Sequence, residues 1–177
     1  RWLSSLGGKG ASREQDAAAV AELVGSRDAG KLLAEAGERF RAISFDVLHE
    51  EDFASNKGSA TGQPPLSERT KSLALGECEA FLSHSWSDDS TAKYAALARW
   101  AGAHRAEKGI SPSLWLDKAC IDQANIAASL ACLPIFLSGC RELLIIAGPT
   151  YATRLWCLME IFTFCKFNGS TDAIALH

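Results

Sequence analysis

Residues 142 to 161 read ELLIIAGPTYATRLWCLMEI, and this stretch decides the fold. Glu142 to Ala147 (ELLIIA) is an apolar run of strand length, closed by the Gly148-Pro149 pair, which fits a buried strand. From Arg154 to Phe167 apolar residues recur at helical spacing, and Leu155, Leu158, Met159 and Phe162 are expected to face inward. A buried strand that leads directly into a helix needs a crossover connection and predicts a parallel sheet.

The same unit recurs on either side. Upstream, Glu79 to Ser83 (EAFLS) is a short apolar strand. Thr91 to Lys108 carries Tyr94, Leu97, Ala98 and Ala101 at helical spacing and is ended by Gly109. Pro112 precedes Leu114-Trp115-Leu116, a second strand, and Ile126 to Leu137 reads as a helix kinked or broken at Pro134. Downstream, Ala173 to Leu176 starts a fourth strand. Strands apolar on both faces belong to a sheet covered by helices on both sides. In such sheets the ligand crevice lies beyond the carboxyl ends of the strands, here His84 to Ser90, Asp117 to Asn125, and Gly148 to Trp156.

The N-terminal part has another character. Ser12 followed by acidic and then apolar residues opens a helix that Gly25 ends, and Asp28 to Arg39 forms a second with Leu32, Leu33 and Ala36 on one face. Phe40 to Phe45 is a strand, and Leu48 to Phe53 a short helical turn. Ser55 to Ser67, with Asn, Gly, Thr, Gln and Pro64-Pro65, has linker composition. The expected division is an N-terminal helical extension over 1–54, a linker over 55–78, and an α/β domain over 79–177.

The chain has 177 residues, 47% of them hydrophobic and 22% charged, with a formal net charge of -3. That balance suits a globular domain, and the scattered Lys and Arg give no footprint for nucleic acid. No apolar stretch is long enough to span a membrane, and Arg1 to Gly10 lacks the apolar core of a signal peptide. The first residue is not Met, and the chain stops on the apolar run after Ala173, so an excerpt of a longer fold is expected. The six cysteines, at 78, 120, 132, 140, 157 and 165, match no zinc spacing and read as reduced, buried thiols in an intracellular compartment. No metal site and no resident cofactor are expected.

Three segments are similar to those of Toll/interleukin-1 receptor (TIR) domains. AFLSHSWSDD (80–89) resembles their first strand and loop. LWLDKACIDQANIAASL (114–130) resembles the second strand, its loop and the next helix. The stretch 142–161 resembles the third strand and the helix after it, with Tyr151, Trp156 and Glu160 in the order of the family's Trp-Cys-Leu-x-Glu pattern. The Phe-Leu-Ser-His-Ser-Trp and Trp-Leu-Asp-Lys-x-Cys-Ile-Asp strings look closest to TIR-like proteins of protists and algae. The resemblance covers about half the chain and implies a flavodoxin-like parallel sheet with flanking helices, C-terminally truncated. It departs from the family in the loop Lys118 to Asn125, which lacks the usual Arg-Gly pair, and in a missing fifth strand.

Two functions follow from the resemblance. One is a signalling or assembly module that binds a protein partner or itself, through the loop Lys118 to Asn125 and the helix carrying Glu160. The other is an enzyme that cleaves the nicotinamide-ribose bond of NAD as substrate, with Glu160 as the catalytic residue. A silent structural subunit of a larger assembly is a third reading. Cleaving an N-glycosidic bond develops oxocarbenium character, which a carboxylate in a dry cleft stabilises, while nicotinamide leaves as a neutral base. Glu160 stands four residues after Trp156, one helical turn, so an indole and a carboxyl share a face; the alternative is a solvated Glu160 beside a core Trp156. His84, Ser85, Trp86, Asp117 and Tyr151 complete the residues expected around NAD. Against that, His84 also reads as a structural histidine, Trp86 as a core residue packed on Trp115, and Asp117 with Lys118 as a loop-ordering pair. Asp88 and Asp89 suggest a metal-binding receiver domain, but the third strand ends in Gly148-Pro149 where a receiver needs Asp, so the pair is expected to cap the helix near Ser90. Cys120 has no His partner in sequence for nucleophilic chemistry, and Gly7-Gly8-Lys9-Gly10 follows no strand, so the dinucleotide fingerprint is not met.

Overall fold

The computed structural model describes residues 28–54, 60–168 and 171–177. The helix expected from Ser12, and the Gly7 to Gly10 run, lie outside the described residues. Six strands form one sheet: β1 (Arg41–Ser44), β2 (Thr70–Ser72), β3 (Cys78–His84), β4 (Ser113–Trp115), β5 (Cys140–Ile146) and β6 (Ile174–Leu176), in the order β2-β1-β4-β3-β5-β6. β4, β3, β5 and β6 run parallel, and β1 pairs antiparallel with both β4 and β2. The chain is therefore an α/β domain with a mostly parallel sheet flanked by helices, consistent with a flavodoxin-like fold.

Side-chain caps fix the start of several helices. α1 (Ala29–Arg39) is capped by Asp28, whose carboxylate accepts from Lys31 N–H at 2.9 Å, and it buries Leu32 and Ala36. α2 (Ser90–Lys108) is capped by Asp89 through Ala92 N–H at 2.7 Å and closed by Gly109 at φ 74°, a conformation that glycine adopts without strain. After the single turn α3 (Asp117–Cys120), the predicted break near Pro134 separates α4 (Ile126–Ala131) from α5 (Leu133–Ser138). α6 (Leu155–Asn168) follows β5. With the right-handed crossovers expected between parallel strands, α2 falls on one face of the sheet and α4, α5 and α6 on the other. In keeping with this, α1 packs on α4 and α5, and α5 packs on α6.

The core closes around stacked aromatics. Phe81 of β3 lies flat on Trp115 of β4 with centroids 4.5 Å apart, Phe136 of α5 sits 5.7 Å from Trp115, and Phe40 sits 5.8 Å from Phe136. Phe40 belongs to the segment read as an extension, so that segment shares the main core. Residues 60–78, read as linker, supply the buried Ala60 and Leu66 and the strand β2. Arg41 staples β1 to β2, donating to Thr70 Oγ1 at 2.7 Å and to the Thr70 carbonyl at 3.1 Å. A composition rich in Gly, Ser and Pro looked like a spacer because its order comes from distant partners.

α6 corrects the sequence reading. Leu155 is 74% exposed, Phe162 66%, Met159 51% and Leu158 44%, so the face expected inside lies outside. Cys157, Glu160 and Phe164 are the buried residues instead, and Ile161 is half-buried. Both faces are apolar apart from Glu160, so periodicity alone could not choose between them.

Among the described residues no helix is long and apolar enough to cross a membrane. All six cysteines are free, five of them buried and Cys165 half-buried.

Candidate functional site

Every residue of β3 is buried, including its polar members Glu79, Ser83 and His84. A buried polar side chain needs partners, and those of Ser83 lie at the carboxyl end of the sheet, whereas neither ring nitrogen of His84 has a hydrogen-bond partner among the described residues.

Ser83 donates to Glu160 Oε2 at 2.5 Å, and its oxygen lies 2.7 Å from the Tyr151 hydroxyl. With the serine proton committed to Glu160, Tyr151 donates to Ser83, which makes a chain Tyr151–Ser83–Glu160. Glu160 is 5% exposed, so the solvated alternative does not hold. Burial pushes its carboxyl up to about 8, with Asp117 adding to the rise while hydrogen bonding by Ser83 and Trp156 works against it. At neutral pH most molecules carry Glu160 as the neutral acid. Burial likewise raises the Tyr151 hydroxyl and lifts the Cys157 thiol to about 11. Trp156 is 43% exposed, a lip beside Glu160 rather than a core residue.

His84, Trp86 and Asp117 form a second cluster. Trp86 donates through its indole N–H to Asp117 Oδ2 at 3.0 Å, sits 4.4 Å from the His84 ring and stacks on Phe53 at 6.3 Å. It does not pack on Trp115, whose stacking partner is Phe81. The Lys93 and Lys118 ammonium groups each lie 5.3 Å from the Trp86 ring centre, close enough for cation–π attraction. Burial lowers both amines; carboxylates raise them in part, Asp88 foremost for Lys93 and Asp52 foremost for Lys118. Lys93 donates to the carbonyls of Ser85 and Trp86, and Lys118 to that of Asp52. Burial takes His84 down to about 4 despite the nearby Asp117 carboxylate, so its imidazole is neutral. Asp117 orders its own loop, also accepting from Lys118 N–H at 2.6 Å.

Ser85 belongs to a third group that ties the loop after β3 to the loop after β5. Asp88 Oδ1 accepts from both the N–H and the hydroxyl of Thr150, each at 2.8 Å. The Thr150 oxygen lies 2.7 Å from Ser85 Oγ, which therefore donates to it. The expected capping pair thus divides: Asp89 caps α2, and Asp88 clamps Thr150. A methyl group on Gly148 would fall inside the Asp88 carboxylate. Gly148→Ala is accordingly expected to displace Asp88 and destabilise the domain by about 1–3 kcal/mol. Thermal unfolding checks this, and an unchanged Tm would show that the clamp bears no weight.

The structure thus brings Glu160 and Tyr151 together through Ser83, a residue the sequence reading passed over. The signal was present: one hydroxyl inside the otherwise apolar run AFLS must either bond or be paid for in stability. Phe53 and Thr150 were missed because each sits far in sequence from the residue it contacts, and Lys93 because its amine reaches back to the backbone carbonyls of Ser85 and Trp86, which no side-chain pattern marks. Among the described residues no group of three or more His, Cys, Asp or Glu side chains is placed to hold a metal ion.

Comparison of the chain with protein-family models, with curated proteins and with solved structures finds no match.

Proposed function

We propose that this α/β domain is a TIR-like assembly module that acts by binding a protein partner or a second copy of itself. The observation that carries the reading is the outer face of α6, where Leu155, Leu158, Met159 and Phe162 stand in water at positions i, i+3, i+4 and i+7. Contiguous apolar surface of this kind marks an interaction site.

A second reading, cleavage of the nicotinamide-ribose bond of NAD, draws support from Glu160. A carboxyl buried without a cation and held by a hydroxyl chain resembles a tuned catalytic group. In that reaction the bond from ribose C1′ to the ring nitrogen breaks, its electron pair leaves with nicotinamide, and water adds to C1′. The ionised Glu160 would stabilise the cationic ribose, so turnover should rise with pH through about 8.

One experiment separates the two: NAD consumption and sedimentation velocity on the same samples across the micromolar range, wild type beside Glu160→Ala. Concentration-dependent association without NAD loss is the expected result. Nicotinamide release that disappears in Glu160→Ala would make the domain an enzyme.

A further inference from the structure

We propose that α6 pairs with α6 of a second copy of this chain about a two-fold axis between Leu158 and Met159. The inference rests on the assembly reading and names its partner.

The first argument is pattern. The exposed apolar residues of the helix stand at 155, 156, 158, 159 and 162, and four of them, 155, 158, 159 and 162, have a spacing that reads the same in both directions. Two such helices laid antiparallel place Leu155 against Phe162 of the other copy and Leu158 against Met159. The patch is then self-complementary, as a two-fold contact requires. Charge agrees with this register: the only ionisable side chain between Arg154 and Lys166, apart from the thiols, is Glu160, which is turned inward. Arg154 falls opposite Thr163 and Lys166 opposite Tyr151, so the cations of the two copies do not meet.

The second argument is area. Leu155, Trp156, Leu158, Met159 and Phe162 leave about 500–600 Å² in water, taking roughly 200 Å² for a fully exposed large apolar residue. A standard interface buries about 800 Å² per partner, so this helix supplies most of one side and its neighbours need add little. The contact is modest in area, at the small end of stable interfaces.

The test combines sedimentation with cross-linking of the whole chain. Wild type should associate across the micromolar range, and Phe162→Glu should weaken association at least about tenfold. Phe162 is exposed, so the variant keeps its fold, which circular dichroism verifies. In a Cys165→Ser background, Met159→Cys should form a disulfide-linked dimer under mild oxidation and Lys166→Cys should not. Association that survives Phe162→Glu, with no cross-link through Met159→Cys, overturns the pairing and leaves assembly through another surface. A monomeric wild type overturns the pairing too.

Discussion

Asp52→Ala is expected to destabilise the domain by about 3–5 kcal/mol, because it strands a buried guanidinium. Asp52 is fully buried, and its carboxylate grips Arg69 with both oxygens at 2.6 and 3.0 Å. The same oxygens accept from Ala60 N–H and His49 N–H, each at 2.9 Å. Three chain segments therefore meet on one carboxylate, and Lys118, bonded to the Asp52 carbonyl, brings in a fourth. Burial pushes the Asp52 carboxyl up, but the Arg69 hydrogen bonds, the two backbone amides and the Arg69 charge outweigh it and hold it below its ordinary value of 3.8. A depressed carboxyl contributes stability that is fully present above that ordinary value and is lost as pH falls through the folded one. Wild type should accordingly lose stability below about pH 4 more steeply than Asp52→Asn does. The measurement is thermal unfolding against pH. A drop of roughly 10 °C or more in Tm at pH 7 is expected for Asp52→Ala, and a change of a degree or two would mean the carboxylate is not the tie that holds His49, Ala60 and Arg69 together.

This tie also shows what the sequence could not disclose. The strands Glu79 to Ser83, Leu114 to Leu116 and Glu142 to Ala147 were legible because a strand buried on both faces must be apolar throughout. Asp28 and Gly109 were legible because caps act within one turn. The role of Asp52 depends on Arg69 and Ala60, contacts made across a loop, and no local pattern encodes them. The same holds for the candidate site. Glu160 and Tyr151 could be named from their motif, but their link passes through Ser83, on a strand with 67 residues between it and Tyr151. The facing of α6 failed for the opposite reason: its sequence carries two apolar stripes, and only packing against the sheet selects the inner one.

That inner stripe contains one acid, and the acid should work against the fold. Glu160→Gln is expected to stabilise the domain by about 3 kcal/mol at pH 7. The native carboxyl titrates at about 8 against an ordinary value of 4.5, so between those values the folded state holds a proton that the unfolded chain has released. Stability then falls as pH rises, by about 1.36 kcal/mol per unit, and levels off above pH 8. From 4.5 to 7 that amounts to roughly 3 kcal/mol, which the neutral amide avoids while still accepting from Ser83. The gap between variant and wild type should close at pH 4 and be widest near pH 9, with Tm at pH 7 raised by about 6–12 °C. Differential scanning calorimetry across that range reads it directly. A gap that does not change with pH would show that Glu160 does not titrate as a buried acid, and would remove the main support for a reactive carboxyl. A gap that grows as described would mean the chain retains Glu160 at a standing loss of stability. Residues kept on such terms serve something other than the fold, and the next assay for the variant is then NAD turnover.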